Sequence, residues 1–251
     1  MSSTLFIVAV GAAAGGFVQG LSGFAFGLVA MSVWAWTLPP PLAAVLAVFG
    51  SLTGQLIAAT AAGRRPVDLP RLWPLLAGGL AGVPLGMWLL PRIDAPLFKA
   101  GLGMLLVVWC PAMLMARRLP RVRGGRAADG LVGLAGGALG ALGGLTGTLP
   151  TLWCQLRGMD RQAQRALIQN FNLIMLAVAA AGYAARGAVT APMLPLLGVA
   201  AVSMLLPSLI GARLYHRLDE AQFRRLVLGL LTLSGLALLA GGLPSLLARW
   251  H

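Results

Sequence analysis

Acidic side chains are scarce in this chain. Only six of its 251 residues are Asp or Glu, and each falls in a short connection between apolar runs: Asp68, Asp94, Asp129, Asp160, Asp219 and Glu220. The sequence therefore offers no carboxylate inside an apolar segment, which is the group that proton-driven transporters often use.

Histidine and cysteine are equally rare, with two of each. His216 falls in a loop and His251 is the last residue, while Cys110 and Cys154 lie far apart in apolar runs without the spacing of a zinc, redox or haem motif. A membrane-embedded enzyme would need a nucleophile with its base, or a set of metal ligands, and neither is present. We expect no enzyme and no cofactor.

Charged residues make up 10% of the chain and hydrophobic residues 59%. Soluble domains usually carry about a quarter charged residues, so the composition predicts an integral membrane protein. The charge balance is +13, with 19 basic residues against six acids. Because the basic residues sit in short loops beside anionic headgroups and no domain remains to bind nucleic acid, the predicted partner is the lipid bilayer, not a nucleic acid.

The chain is divided by a basic loop. Five arginines fall between residues 117 and 129, together with Pro120, Gly124 and Gly125. The predicted organisation is a first transmembrane repeat over 1–118, a linker loop over 119–129 and a second repeat over 130–251.

Eight apolar runs are long enough to cross about 30 Å of hydrocarbon. They cover residues 4–38, 41–62, 72–90, 97–116, 130–156, 166–185, 190–212 and 226–247. The fold class is accordingly an all-α, polytopic membrane protein. The runs 4–38 and 130–156 are too long for one simple span, and each is broken by glycine near its middle.

An internal repeat relates the two halves. Gly20-Leu21-Ser22-Gly23 matches Gly144-Leu145-Thr146-Gly147, and the charged block Arg92-Ile93-Asp94 matches Arg217-Leu218-Asp219 at almost the same offset. Two matching blocks at nearly the same offset, one of them charged, indicate a duplication, which is a common origin of transporters.

The arginines favour one topology over another. If all eight runs cross the membrane, ten basic residues fall on one side and nine on the other. If the two glycine-broken runs instead enter and return on the same side, the count becomes fifteen against four, as the positive-inside rule requires. This predicts an inverted repeat with re-entrant helices and both termini outside. Eight simple spans are the alternative.

Broken backbone at membrane depth is tolerated only against protein or a watery cavity. The two glycine turns therefore predict a shared central site, with returning half-helices that begin at 24–26 and 148–150 and turn their N–H groups toward an anion. The candidate substrate-binding residues are Gly20, Ser22, Gly23, Phe24, Gln55, Gly144, Thr146, Gly147, Thr148 and Asn170. The alternative is that Gly-x3-Gly serves only close helix packing.

Other polar residues lie inside the spans. Gln55 and Asn170 belong to two clusters that also contain Ser51, Gln169 and Asn172. A buried amide needs a partner, so each either bridges helices or meets a substrate. Arg165 and Arg213 border their spans and either set topology or attract an anion.

The pair of turns, read as Gly20-Leu21-Ser22-Gly23-Phe24-Ala25-Phe26-Gly27 and Gly144-Leu145-Thr146-Gly147-Thr148-Leu149-Pro150, resembles the sulfite exporter TauE/SafE family of membrane permeases. The resemblance covers nearly the whole chain. It implies transport of small anions such as sulfite, a sulfonate or another small organic anion.

The predicted function is a secondary transporter of a small anion that works by alternating access, with one half moving against the other. The alternative is a non-transporting membrane scaffold or assembly factor. The predicted location is the cell membrane, and the oligomeric state is left open between a monomer and a homo-oligomer. Gly11 lies outside the repeated motif, and Gly11→Leu is expected to leave anion binding largely intact.

Overall fold

A computed structural model describes residues 2–62, 68–115, 121–214 and 220–247. These residues form α-helices joined by short connections and two single 3-10 turns, so the all-α prediction is confirmed for the described part of the chain. The helices are α1 (Ser2–Ser22), α2 (Phe26–Trp34), α3 (Pro40–Ala62), α4 (Leu69–Leu89), α5 (Ala95–Met115), α6 (Arg126–Gly143), α7 (Thr148–Leu156), α8 (Arg161–Ala185), α9 (Leu194–Leu214) and α10 (Glu220–Leu247).

Among the described residues, seven stretches are long and apolar enough to cross a membrane, which agrees with a polytopic membrane protein. They lie in α1, α3, α4, α5, α8, α9 and α10. The helices α2 and α7 have nine residues each, or about 13 Å at 1.5 Å per residue, which is less than half of the hydrocarbon thickness.

The first long apolar run folds into a helical hairpin. Phe26 at the start of α2 packs against Gly15, and Trp34 at its end packs against Gly11 and donates its indole N–H to the Ile7 carbonyl at 3.2 Å. The helix α2 therefore runs back along α1. Length alone would let α1 cross a membrane, but this return brings the chain back toward the side on which α1 begins.

The second long run repeats this arrangement. Pro150 of α7 packs against Gly136 of α6, and further along Trp153 donates to Asp129 at 2.7 Å. Arg157 forms an ion pair with the same carboxylate, also at 2.7 Å. The start of α6 and the end of α7 are thus held together at one end of the hairpin.

The two halves interlock. The most extensive helix pairings join α1 to α9, α4 to α6 and α5 to α10. The predicted repeat pairs α1 with α6 and α4 with α9, so under that prediction the first helix of each half packs on the fourth helix of the other. Helix α1 runs parallel to α9, and α4 runs parallel to α6. By contrast, α5 and α10 run antiparallel, with Gly103 near Gly235 and Gly242 near Pro96. These directions agree with an inverted arrangement, whose orientation in the membrane stays a prediction.

Glycines allow the two helices of each interlocked pair to approach closely. A methyl group at Gly16 or Gly20 would collide with the backbone of α9, and one at Gly82 or Gly86 would collide with the backbone of α6. Small residues at these contacts let helix backbones approach one another in a membrane. Gly16-x3-Gly20 therefore serves packing, while the next glycine, Gly23, lies in the turn.

Gly11 is tightly packed, although it lies outside the repeated motif. A methyl group there would overlap the indole ring of Trp34, which is fully buried and held by its hydrogen bond to Ile7. The sequence motif does not include Gly11, but hairpin packing requires it.

Candidate functional site

The first turn occupies residues 23–25, between α1 and α2. Gly23 has a φ of +85°, a left-handed conformation that favours glycine. The backbone N–H groups of Phe24 and Ala25 donate to Ser22 Oγ at 3.4 and 3.3 Å. The helix α2 begins at Phe26, as predicted, and its first-turn N–H groups have no partner within the helix.

The turn lies inside the helix bundle. Gln55 Nε2 of α3 donates to the Gly23 carbonyl at 2.9 Å, and Gln55 is seven residues before Ala62, where α3 ends. At 1.5 Å per residue, the turn is about 10 Å from that end of α3. A span such as α3 therefore places the turn at membrane depth.

The second turn differs in detail. Its left-handed residue is Gly144, with a φ of +67°, whereas Gly147 has an ordinary φ of −79° and caps α7. Thr148 donates its hydroxyl to the Leu145 carbonyl at 2.8 Å. Gly147 is therefore constrained by its neighbours and not by its backbone conformation.

The two turns touch each other. A methyl group at Gly27 would lie 2.6 Å from the carbonyl oxygens of Gly143 and Gly144, and one at Gly147 would lie 3.1 Å from the ring of Phe24. The turns are both mostly buried, and Ser51 Oγ of α3 donates to the Gly144 carbonyl at 3.4 Å. The structure thus brings together the two motifs that lie 124 residues apart in the sequence, from Gly20 to Gly144.

One face of α8 contacts both turns. A methyl group at Gly23 would stand 3.9 Å from Nε and Nη2 of Arg165 and from Nε2 of Gln169. One at Gly147 would stand 2.8 Å from Nδ2 of Asn172. Arg165, Gln169 and Asn172 are spaced i, i+4 and i+7, so they share a face of the helix.

A matching polar face lies on α7. Gly147, Thr151 and Gln155 recur every fourth residue, and α7 packs against α8. The short connection through 157–160 and the contact of Gly147 with Asn172 indicate that α7 and α8 run antiparallel, so helical spacing places Thr151 and Gln155 along the side of α7 that begins at this contact. We call these residues the polar seam: Gly147, which caps α7, Thr151 and Gln155 of α7, and Arg165, Gln169 and Asn172 of α8.

The polar seam contains buried atoms that lack hydrogen-bond partners. Within the described residues these are Thr151 Oγ1, Gln155 Oε1, Gln169 Nε2, and both Nδ2 and Oδ1 of Asn172. Asn172 is 1% exposed and Thr151 is 3% exposed. An unpaired buried polar group costs about 1–3 kcal/mol, so this cluster is expected to meet a polar ligand or water.

The predicted site residues occupy different positions. Ser22, Gly23, Phe24, Gly144, Thr146, Gly147 and Thr148 form or flank the two turns, and Gln55 binds the first turn. Gly20 lies within α1 against Ser208 of α9. The amide of Asn170 donates to the Ala166 carbonyl of its own helix at 2.8 Å.

Sequence reasoning did not select Thr151 or Gln155, and it chose Asn170 over its neighbours Gln169 and Asn172. The fourfold spacing of polar residues in an otherwise apolar stretch was the available signal. It indicates one polar helix face, but only the fold shows that this face meets the turns.

The described carboxylates lie at helix ends, away from the seam. Asp129 pairs with Arg157, Asp68 pairs with Arg71, and Asp160 accepts two backbone N–H groups at the start of α8. The described residues contain no group of three or more His, Cys, Asp or Glu that could hold a metal ion. The seam therefore combines a guanidinium with neutral amides and hydroxyls, a combination suited to a small anion.

Comparison with known proteins gives one family. The family model described as Sulfite exporter TauE/SafE matches residues 7–238. This match includes both turns and the whole polar seam. No curated protein and no solved structure matches the chain.

Proposed function

Because this chain belongs to the sulfite exporter TauE/SafE family of membrane transporters, we propose that it carries a small sulfur-containing anion across the membrane. Sulfite and small sulfonates are the leading substrates, and other small organic anions are included in the test. The anion binds at the polar seam, where the two glycine turns meet α8.

One observation carries this proposal. Arg165 and Gln169 lie near the first turn, and Asn172 lies near the second. Gln169 Nε2 and both polar atoms of Asn172 have no hydrogen-bond partner among the described residues. A guanidinium forms strong hydrogen bonds with oxyanions. The side-chain amides add neutral N–H donors, and so do the backbone N–H groups at the N-terminal end of α2. The N-terminal end of a helix also favours negative charge.

The interlocked helices limit which parts of the protein can move together when the site opens alternately to the two sides of the membrane. Because α1 packs on α9 and α4 packs on α6, one half of the sequence cannot move as a unit without separating the most extensive pairings. We therefore propose that the moving units are mixed. One contains α1, α2 and α9, the other contains α4, α6 and α7, and the anion lies between them.

The location is proposed to be the cell membrane, with both termini outside and repeats over 1–118 and 130–251 joined by the basic linker at 119–129. This orientation places the loops that carry fifteen of the basic residues on the inner side. The arrangement leaves the Arg165 end of the seam facing the interior, where it would meet an anion that is to be exported.

The direct test is transport by purified protein in liposomes loaded with ³⁵S-labelled sulfite. We expect release faster than from protein-free liposomes, and competition by unlabelled small sulfonates. The matched variant is Arg165→Gln, with Arg213→Gln as its control because Arg213 is an exposed arginine of α9. Folded protein that releases none of the tested anions would support the non-transporting scaffold instead.

A further inference from the structure

The Asn172 side chain presents both a donor and an acceptor at the seam. Its Nδ2 and Oδ1 atoms are buried and have no hydrogen-bond partner within the described residues. Whichever way the amide is turned, its NH2 donor group and its carbonyl acceptor both lie beside Gly147, near the ring of Phe24.

An anion without hydrogen on its oxygens can satisfy only the donor. Its oxygens would accept from Nδ2 and from Gln169 Nε2, but they would leave Oδ1 unpaired and would face it with like partial charge. Buried acceptors left unpaired are costly, so a ligand that supplies an O–H group is favoured over an isostere that lacks one.

A second acceptor lies along the same seam. Gln155 Oε1 is buried and has no partner among the described residues, and the Thr151 hydroxyl, which can either donate or accept, is one helical turn from it. At Asn172 itself, the unpaired Oδ1 favours a donor from the ligand, in addition to the negative charge that suits Arg165.

We propose that Asn172 selects anions that carry an O–H group beside their charged group, such as hydroxyalkanesulfonates or the singly protonated form of sulfite. This inference rests on the proposed anion site and specifies its substrate class. In a protonated substrate the proton crosses bound to the anion, which requires no carboxylate at the seam.

The test compares two sulfonates of equal size at one pH. The ligand 2-hydroxyethanesulfonate carries a hydroxyl where 1-propanesulfonate carries a methyl group, and both are monoanions. Binding to the purified wild-type chain is measured by competition against ³⁵S-labelled sulfite. We expect the hydroxylated ligand to bind about tenfold more tightly, since its O–H group pairs with a buried acceptor that the methyl group leaves unpaired.

The matched variant is Asn172→Leu, which keeps the side-chain size and removes both polar atoms. It is expected to bind the two ligands equally, and to bind both more weakly than the wild-type chain does, because the Nδ2 donor is lost together with the Oδ1 acceptor. If Asn172→Leu does not fold, Asn172→Ala replaces it, with folding checked by size-exclusion chromatography and thermal unfolding.

Each outcome separates this inference from the proposed function. Equal affinities in the wild-type chain, or tenfold discrimination that persists in the variant, would overturn the role of Asn172 while leaving an anion site in place. If neither sulfonate displaces sulfite and sulfite itself does not bind, the proposed function fails, and the selectivity inference fails with it.

Discussion

Asn172 lies against Gly147 so closely that a methyl group at residue 147 would stand 2.8 Å from its Nδ2 atom. The pair joins the second glycine turn to the polar face of α8. It also makes residue 147 a position at which added bulk acts on the seam directly.

Enlarging this glycine should abolish anion binding. In Gly147→Leu the side chain must displace either the Asn172 amide or the Phe24 ring, so ³⁵S-sulfite transport in liposomes should fall to the protein-free rate. Gly101→Leu is the matched control, because a side chain at this exposed position of α5 meets no atom within 4 Å. Full transport by folded Gly147→Leu would return this glycine to a packing role.

At the first turn the backbone adds a second constraint. Gly23→Ala places a Cβ at a residue with a φ of +85°, which is strained whatever the space, although its neighbours lie at 3.9 Å. We expect a lower thermal unfolding temperature for Gly23→Ala than for Gly101→Ala, because Gly101 is not among the described glycines with a positive φ and a Cβ there meets no atom within 4 Å. The same loss of stability at both positions would show that the left-handed conformation of Gly23 imposes no cost.

Removing the guanidinium should weaken anion binding more than removing a hydroxyl. Hydrogen bonds to charged groups contribute about 1.5–3 kcal/mol, so Arg165→Gln is expected to lower sulfite affinity by roughly ten- to a hundredfold. Ser22→Ala and Thr146→Ala each remove one neutral hydroxyl, worth about 0.5–1.5 kcal/mol, and should cost roughly two- to tenfold. An unchanged affinity in Arg165→Gln would place the anion elsewhere.

The Asp129 carboxylate is expected to stabilise the second hairpin. Its side chain is 8% exposed, pairs with Arg157 and accepts from Trp153, so Asp129→Ala leaves a partly buried charge and an indole N–H without partners. We expect a loss of about 1–3 kcal/mol of unfolding free energy in chemical denaturation of the purified protein. In the control, Asp68→Ala, the lost pair with Arg71 is about half exposed and should cost under about 1 kcal/mol.

Cysteine labelling tests the orientation. The native Cys110 and Cys154 are buried, so single cysteines placed at exposed loops should give the signal. Arg123→Cys should be protected from an impermeant thiol reagent outside intact cells, and Arg186→Cys should react. Labelling of both, or the reverse pattern, would exclude an arrangement with the termini outside. The corresponding positions Arg64 and Arg217 lie outside the described residues.

The sequence by itself determined the class of the protein and the positions of its helices. Within a membrane, an isolated apolar run pairs its own backbone N–H and C=O groups by forming an α-helix. The eight apolar runs found in the sequence therefore correspond to the described helices. The glycine breaks in 4–38 and 130–156 likewise placed the starts of the returning helices near Phe26 and Thr148, because glycine and proline act locally on the backbone.

Only the tertiary structure decided which polar side chains meet the turns. Gln169, Asn170 and Asn172 are close in sequence and chemically alike, yet helical geometry turns Asn170 toward its own backbone and the other two toward the glycines. The same holds for Gly11, whose need to remain small comes from Trp34, 23 residues further along the chain. Such contacts depend on how separate helices pack, and composition and spacing within one helix do not specify that packing.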